Sequence, residues 1–162
     1  MKTTPNSSVL FIVGLFMLTT SCKKNEAVPE FEQENAPYTA EFTFKTKSQQ
    51  FATDAQGKNI VKVVLDGTGS FSFAPNVTFT DEFDLVLATG VSAHKVTFTT
   101  SNGDKIYTTM TTQIGKTDIT GTTSFSGGTG RFAKIKGGGP NAGPPVAAGA
   151  GSWKETGGQV TF

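Results

Sequence analysis

The amino-acid sequence predicts an all-β domain, a small antiparallel up-and-down β-barrel, with a β-sandwich as the alternative. Three observations lead to this fold class. Apolar and polar residues alternate with period two from residue 38 onward, glycine-rich turn signals separate the alternating runs, and threonine and phenylalanine dominate those runs. About seven to nine short strands are expected. The barrel is favoured over the sandwich because closure removes exposed strand edges.

The first alternating run is YTAEFTFK, residues 38–45, which places aromatic rings and alanine on one face and polar side chains on the other. Five similar runs follow: NIVKVVLD (59–66), VTFTDEFDLVL (77–87), HKVTFTT (94–100), KIYTTMTT (105–112) and TDITGTTSFS (117–126). WKE (153–155) and QVTF (159–162) are expected to close the sheet.

Two segments between these runs predict breaks in the sheet. Asn102-Gly103 predicts a hairpin with a type I′ turn, in which both central residues need positive φ. The segment GGGPNAGPPVAAGAG, residues 137–151, predicts an irregular loop, because Pro140, Pro144 and Pro145 cannot donate to a strand ladder. We therefore expect a barrel domain over residues 38–162 that carries this Gly/Pro-rich loop.

The N-terminal residues 1–21 predict a lipoprotein signal peptide. The apolar run VLFIVGLFML, residues 9–18, is shorter than the roughly 20 residues of a membrane-spanning helix. Small residues and then Cys22 follow it, and this arrangement resembles the lipobox of bacterial lipoproteins. The resemblance implies cleavage before Cys22, acylation of its thiol and attachment to a membrane. An ordinary secretory signal with an incidental cysteine is the alternative.

Residues 22–37 predict a flexible tether, because they are charged, contain two prolines and show no periodic pattern. A short helix around residues 30–34 is the alternative. Lys23 stands where an Asp in similar lipoproteins directs retention in the inner membrane, so the resemblance implies the outer membrane of a Gram-negative bacterium. Lys2 is the only charged residue before Cys22, so cleavage lowers the basic residues from 14 to 13 against 13 acidic ones. This balance argues against a nucleic-acid partner.

Three motifs resemble those of the allene oxide cyclase-like (dirigent-like) β-barrel family. They are GTGSFSF (67–73), FTTSNGDKIYTT (98–109) and GGTGRFA (127–133), in that order, and the resemblance covers roughly residues 60–139. It implies a small barrel, but its motifs are structural. The catalytic pattern of the plant cyclases is not found in this sequence, so no cyclase residue is assigned.

The glycine-rich motif GGTGRF, residues 127–132, predicts a corner of the barrel. A dinucleotide-binding fingerprint would need a third glycine where Ala133 stands, and no helical pattern follows to bind a phosphate. We expect Phe132 to plug the barrel end and Arg131 to lie at the rim or to pair with a carboxylate. The predicted corner residues are Gly127, Gly128, Gly130, Arg131 and Phe132.

Asp81 and His94 are the candidate catalytic residues. By alternation, Asp81 falls between Phe79 and Phe83 on the face assigned to the interior, and His94 begins another inward-facing series. If both converged with Tyr107, they would form a polar group in the lumen. The alternative is a strand bulge that turns Asp81 outward, with His94 at a strand end in solvent. With one histidine in the chain, neither a metal site nor a cofactor is expected.

These features predict a lipid-anchored envelope β-barrel that is a non-catalytic binding or surface module for an apolar small molecule or a protein partner. A structural surface protein with no ligand is a further hypothesis. The alternative is a cyclase-like or isomerase-like enzyme that acts on a lipid-derived substrate in the barrel lumen. A lumen filled by phenylalanine side chains would exclude the binding and enzyme hypotheses in their lumenal form, whereas an open cavity of a few hundred Å³ that contains Asp81 or His94 would support the enzyme.

Overall fold

The computed structural model describes residues 34–146 and 149–162. The predicted signal peptide, Cys22 and most of the predicted tether lie outside the described residues. Eight strands and one 3₁₀ turn follow along the chain: β1 Ala36–Thr53, β2 Asn59–Phe71, β3 Ala74–Val86, β4 Val91–Thr99, β5 Lys105–Ile114, β6 Ile119–Gly128, the turn Gly130–Phe132, β7 Lys136–Gly143 and β8 Ala150–Thr161. Within these ranges no helix is long and apolar enough to cross a membrane.

The eight strands form one closed barrel in which each strand pairs with the next along the chain. All eight pairs are antiparallel, and β8 closes the barrel against β1. The predicted fold class is therefore confirmed as an up-and-down β-barrel. The alternation also holds in detail: Tyr38, Ala40, Phe42 and Phe44 are all buried, and the residues between them are exposed.

The domain limits differ from those predicted. β1 begins at Ala36 and not at residue 38, because Ala36 and Pro37 already pair with β8. Much of the predicted loop 137–151 is strand, because β7 occupies Lys136–Gly143 and pairs with β6, and β8 begins at Ala150. Pro140 lies inside this strand. The register between β7 and β8 is interrupted between Gly138 and Asn141, so the missing N–H of Pro140 falls at an irregularity, where proline is tolerated.

The hairpin at Asn102-Gly103 is confirmed, but its predicted turn type is wrong. Gly103 has a φ of 89°, and Asn102 is not among the residues with positive φ. The Gly103 amide donates to the Thr100 carbonyl, and the Thr100 amide donates to the Asp104 carbonyl, both at 2.9 Å. A three-residue loop with one glycine in the left-handed region is a common alternative to the two-residue type I′ turn.

The two ends of the barrel differ. The closed end contains the start of β1, the β2–β3 and β4–β5 turns, the 3₁₀ turn and the C-terminus. The open end contains the tips of the β1–β2, β3–β4 and β5–β6 hairpins and the β7–β8 connection. A continuous cluster of rings fills the half of the interior next to the closed end: Tyr38, Phe42, Phe71, Phe73, Phe98, Phe125, Phe132 and Phe162. We call this the closed half and the remainder of the interior the open half.

Candidate functional site

A cavity of about 200 Å³ occupies the open half of the barrel. Its wall is mostly apolar, and Trp153 and Phe44 separate it from the ring cluster of the closed half. The main apolar lining residues are Phe44, Val63, Leu65, Phe83, Met110 and Trp153. A wider concavity of about 1140 Å³ lies on the outside of the barrel over β1–β4. Its polar groups, such as the exposed Lys47–Asp66 ion pair, are already in water, so the interior cavity is the stronger candidate site.

Asp81 and His94 both line this cavity. Asp81 pairs in regular register with Leu65 on β2 and Val96 on β4, so the proposed bulge does not exist and the side chain points inward. His94 lies opposite Phe83, and its ring stacks on that phenyl ring with centroids 4.1 Å apart. Both alternatives that placed these residues in solvent are therefore wrong.

The two residues belong to a hydrogen-bonded row that runs from β3 along β4 to β5. The Nδ1 atom of His94 lies 2.8 and 3.1 Å from the two carboxylate oxygens of Asp81. On the other side of the ring, Nε2 lies 2.9 Å from Ser92 Oγ and 3.1 Å from Thr112 Oγ1, and these two hydroxyl oxygens are 2.6 Å apart. All four side chains are buried. We call them the polar row.

The polar row places a carboxyl group in an apolar environment. Burial raises the pKa of Asp81 above its ordinary value. The hydrogen bond from His94 and the charge of the His94 ring lower this pKa, but the effect of burial is larger. A carboxyl–imidazole pair of this kind holds the ring in one orientation and can accept or release a proton.

Tyr107 does not join this group. Its side chain points outward on β5 and is 37% exposed, as expected for the neighbour of the fully buried Ile106. Of the three residues whose convergence was considered, Asp81 and His94 therefore meet in the barrel interior and Tyr107 does not.

A second buried polar cluster lies beside the cavity around Glu155, which is completely buried. Tyr38 Oη donates to one carboxyl oxygen of Glu155 and Thr123 Oγ1 donates to the other, both at 2.7 Å. Asn141 Nδ2 donates to Thr123 Oγ1 at 2.9 Å and also lines the cavity. Burial raises the pKa of Glu155, and the hydrogen bonds from Thr123 and Tyr38 partly oppose that shift. Desolvation, with the nearby Glu155, also raises the pKa of Tyr38.

Exposed apolar side chains surround the mouth of the cavity: Phe51, Leu87, Ile114 and Val146. Ile114 and Val146 also line the cavity itself. β1 pairs with β8 only up to Lys45, whereas its pairing with β2 continues to Thr53. The end of β1 therefore extends past the barrel wall, which leaves Phe51 exposed at the mouth.

The predicted corner motif lies at the opposite end. Phe132 is fully buried against Phe73 and Phe162, which agrees with the predicted plug. Arg131 lies at the rim, where its guanidinium donates to the Phe73 carbonyl at 3.2 Å and sits 4.6 Å from the Phe132 ring centre. Gly127 and Gly130 have φ values of 124° and 54°, and Gly128 has no room for a Cβ atom because the Lys105 carbonyl oxygen would lie 2.2 Å away. Glycine is required at each of these positions for one of these two reasons.

Sequence reasoning missed Ser92, Thr112, Asn141 and Glu155. Ser92 lies two residues before His94, and Glu155 lies two residues after the buried Trp153, so the same alternation could have assigned both to the interior. Thr112 lies two residues after the buried Met110 and could have been assigned in the same way, whereas Asn141 lies in the segment predicted as a loop.

No group of three or more His, Cys, Asp or Glu side chains is arranged to hold a metal ion in residues 34–146 and 149–162. Comparison with known proteins gives no relative: no family model, no curated protein and no solved structure matches this chain. The fold and the site therefore define the molecule as a small closed antiparallel β-barrel with one end packed and, at the other, a mainly apolar cavity with the polar row on its wall.

Proposed function

We propose that this protein is a binding module that holds a small, mainly apolar molecule in the open half of its barrel. The observation that carries the proposal is the polar row on the wall of an otherwise apolar cavity. Small-molecule sites characteristically combine an apolar surface with a few fixed polar groups that orient the ligand. A barrel needing only stability would gain more from filling this space, as the closed half does, than from burying Asp81 and His94.

The size of the cavity limits the ligand. An apolar cavity of about 150 Å³ in another protein accommodates benzene, so a cavity of about 200 Å³ has room for one six-membered ring or a short chain with one substituent. The apolar residues at the mouth, including Phe51 and Leu87, would receive the part of a longer molecule that projects outward.

The proposed setting is the cell envelope of a Gram-negative bacterium, with Cys22 acylated and residues 22–35 as the tether. The chain enters the barrel at Ala36, at the closed end. A tether attached there would direct the cavity mouth away from the membrane, which suits capture of a molecule from the surrounding space. Replacing Cys22 with alanine should release the protein from membranes, and continued membrane association of that variant would contradict lipidation.

The proposed relationship to allene oxide cyclase-like barrels is supported by where the motifs lie. Ser101–Asp104 forms the β4–β5 turn, and GGTGRF forms the corner between β6 and β7, in a barrel whose strands follow one another in order.

Binding can be tested with a matched pair of variants. Val63 is buried and lines the cavity, whereas its neighbour Val64 points to the outside of the same strand. Small ring compounds such as phenol and cyclohexanol should shift the backbone amide signals of cavity-lining residues in NMR spectra, saturably. Val63→Phe should fill the cavity and abolish the shifts, and Val64→Phe should preserve them. Shifts that persist in Val63→Phe, or that map outside the cavity, would refute the proposal.

The Asp81–His94 pair favours one second candidate, a cyclase-like or isomerase-like enzyme that moves a proton on a lipid-derived substrate. In such a reaction the imidazole would take a proton from carbon and return it to another carbon, with Asp81 stabilising the charged ring. The test is the conversion of a short β,γ-unsaturated ketone to its conjugated isomer, followed by absorbance. Loss of conversion in His94→Gln with retained ligand binding would support catalysis, and no conversion by the unmodified protein would argue for binding alone.

A further inference from the structure

The arrangement of hydrogens within the polar row indicates what kind of polar group the cavity accepts. Asp81 approaches Nδ1 of His94 with both carboxylate oxygens, and a carboxylate can only accept hydrogen bonds. The Nδ1–H of His94 is therefore the donor in this contact. In the neutral imidazole the other nitrogen, Nε2, then has no hydrogen and must accept one.

Two hydroxyl groups are available to supply that hydrogen. Ser92 Oγ and Thr112 Oγ1 are both within hydrogen-bonding distance of Nε2 and of each other. Each hydroxyl has one hydrogen. One hydrogen goes to Nε2, and the other goes to the oxygen of the neighbouring hydroxyl. The donors of the polar row are thus used within the row, and the free capacity at its Ser92–Thr112 end consists of oxygen lone pairs.

We propose that the cavity selects a neutral hydrogen-bond donor, an alcohol or phenol with one ring or a short chain, whose hydroxyl donates to the Ser92–Thr112 pair. The inference rests on the proposed binding function and names its ligand class. A ketone or ether oxygen placed at the same point would face lone pairs and lose its hydrogen bond to water, which is costly in an apolar site. An ammonium group would also donate, but it would have to leave water for a mostly apolar wall.

The experiment compares four probes of nearly equal shape on the purified full-length protein: cyclohexanol, cyclohexanone, cyclohexane and protonated cyclohexylamine. Dissociation constants are measured at pH 8 by NMR titration of the cavity-lining amides. Cyclohexanol should bind at least about tenfold more tightly than cyclohexanone, as expected when one probe gains a hydrogen bond and the other leaves a polar group unpaired. The ¹⁵N signals of His94 should show hydrogen on Nδ1 and none on Nε2.

Thr112→Val removes one of the two acceptor oxygens with almost no change of shape, and it should weaken the preference for cyclohexanol over cyclohexanone. Thr111→Val is the control, because Thr111 lies next to it on β5 with its side chain exposed on the outside. If Thr112→Val does not fold, Ser92→Ala and the His94 spectrum of the unmodified protein provide the same test.

The outcomes separate the two proposals. A ketone or ammonium probe that binds as tightly as the alcohol, or an alcohol preference that is unchanged in Thr112→Val, overturns the ligand class while the binding function stands. If none of the four probes shifts the cavity-lining amides, the binding function fails together with the ligand class. A hydrogen on Nε2 in the ¹⁵N spectrum at pH 8 also overturns the inference.

Discussion

The closed and open halves of this barrel are built from the same eight strands, yet they use their inward positions differently. In the closed half, inward positions carry aromatic rings. The Phe71 ring, for example, contacts five other rings: Tyr38, Phe42, Phe73, Phe98 and Phe125. In the open half, the same alternation brings Asp81, His94, Ser92 and Thr112 inside and leaves a cavity.

This difference separates stability from binding along the barrel axis. Rings that meet edge to face at 5–6 Å bury large apolar areas and leave no space for a ligand. The open half includes buried polar groups, and the members of the polar row satisfy one another by hydrogen bonds. The closed half therefore supplies the stability that allows the open half to keep a mainly apolar cavity with the polar row on its wall.

The largest effect is expected from Phe71→Ala. The Phe71 side chain is 1% exposed and lies at the centre of the ring cluster, so its removal should lower the free energy of unfolding by about 3–5 kcal/mol. Urea denaturation followed by tryptophan fluorescence would measure the change.

Phe83→Ala is the control for the open half. Phe83 is only partly buried and borders the existing cavity, so we expect a loss of less than about 2 kcal/mol, toward the low end of large-to-small substitutions. Equal losses for the two variants would show that the two halves contribute alike and would break the comparison.

A smaller effect is expected from Glu155→Gln, measured as a change in the pH dependence of stability. Burial raises the pKa of Glu155 in the folded protein above its unfolded value of 4.5. Between these two pKa values the folded state holds a proton that the unfolded state has released, so stability falls as the pH rises through this window. A difference of one pH unit between the folded and unfolded pKa values corresponds to about 1.4 kcal/mol of stability.

Glutamine imitates the protonated carboxyl and does not titrate. Glu155→Gln should therefore match the unmodified protein near pH 4.5 and become relatively more stable as the pH increases. Asp81→Asn is a useful comparison, because burial also raises the pKa of Asp81 and the same sign applies above pH 3.8. A Glu155→Gln variant that loses stability equally at every pH would show that the side chain acts only through its hydrogen bonds to Tyr38 and Thr123.

The sequence was sufficient to predict the fold class because the signal is local. Each strand carries its own alternation, and runs such as YTAEFTFK define the inner face without knowledge of any partner strand. The inward position of Asp81 followed from the same rule, since Asp81 falls between Phe79 and Phe83.

The polar row and the cavity could not be predicted in the same way, because they depend on register between strands. Ser92 contacts Thr112 because the two residues are direct partners in the β4–β5 pair. His94 contacts Asp81 diagonally across the β3–β4 pair, since the direct partner of Asp81 is Val96, two residues after His94. No local pattern specifies these pairings. The extent of β7 was missed for a related reason: glycine and proline signal a loop, but at Pro140 an irregularity in the register with β8 accommodates them.

The smallest effect is expected at the rim of the closed end, from Arg131→Gln. Arg131 is exposed, donates one hydrogen bond to the Phe73 carbonyl and lies over the Phe132 ring. Exposed contacts of these kinds contribute about 0.5–1 kcal/mol each, so Arg131→Gln should cost no more than about 1 kcal/mol in urea denaturation. Phe132→Ala in the same motif should cost about 3–5 kcal/mol, because the ring is fully buried. If Arg131→Gln costs as much as Phe132→Ala, the rim contact and not the buried ring secures the closed end. Neither variant touches the cavity, so variants that remain folded should bind small ring compounds as the unmodified protein does.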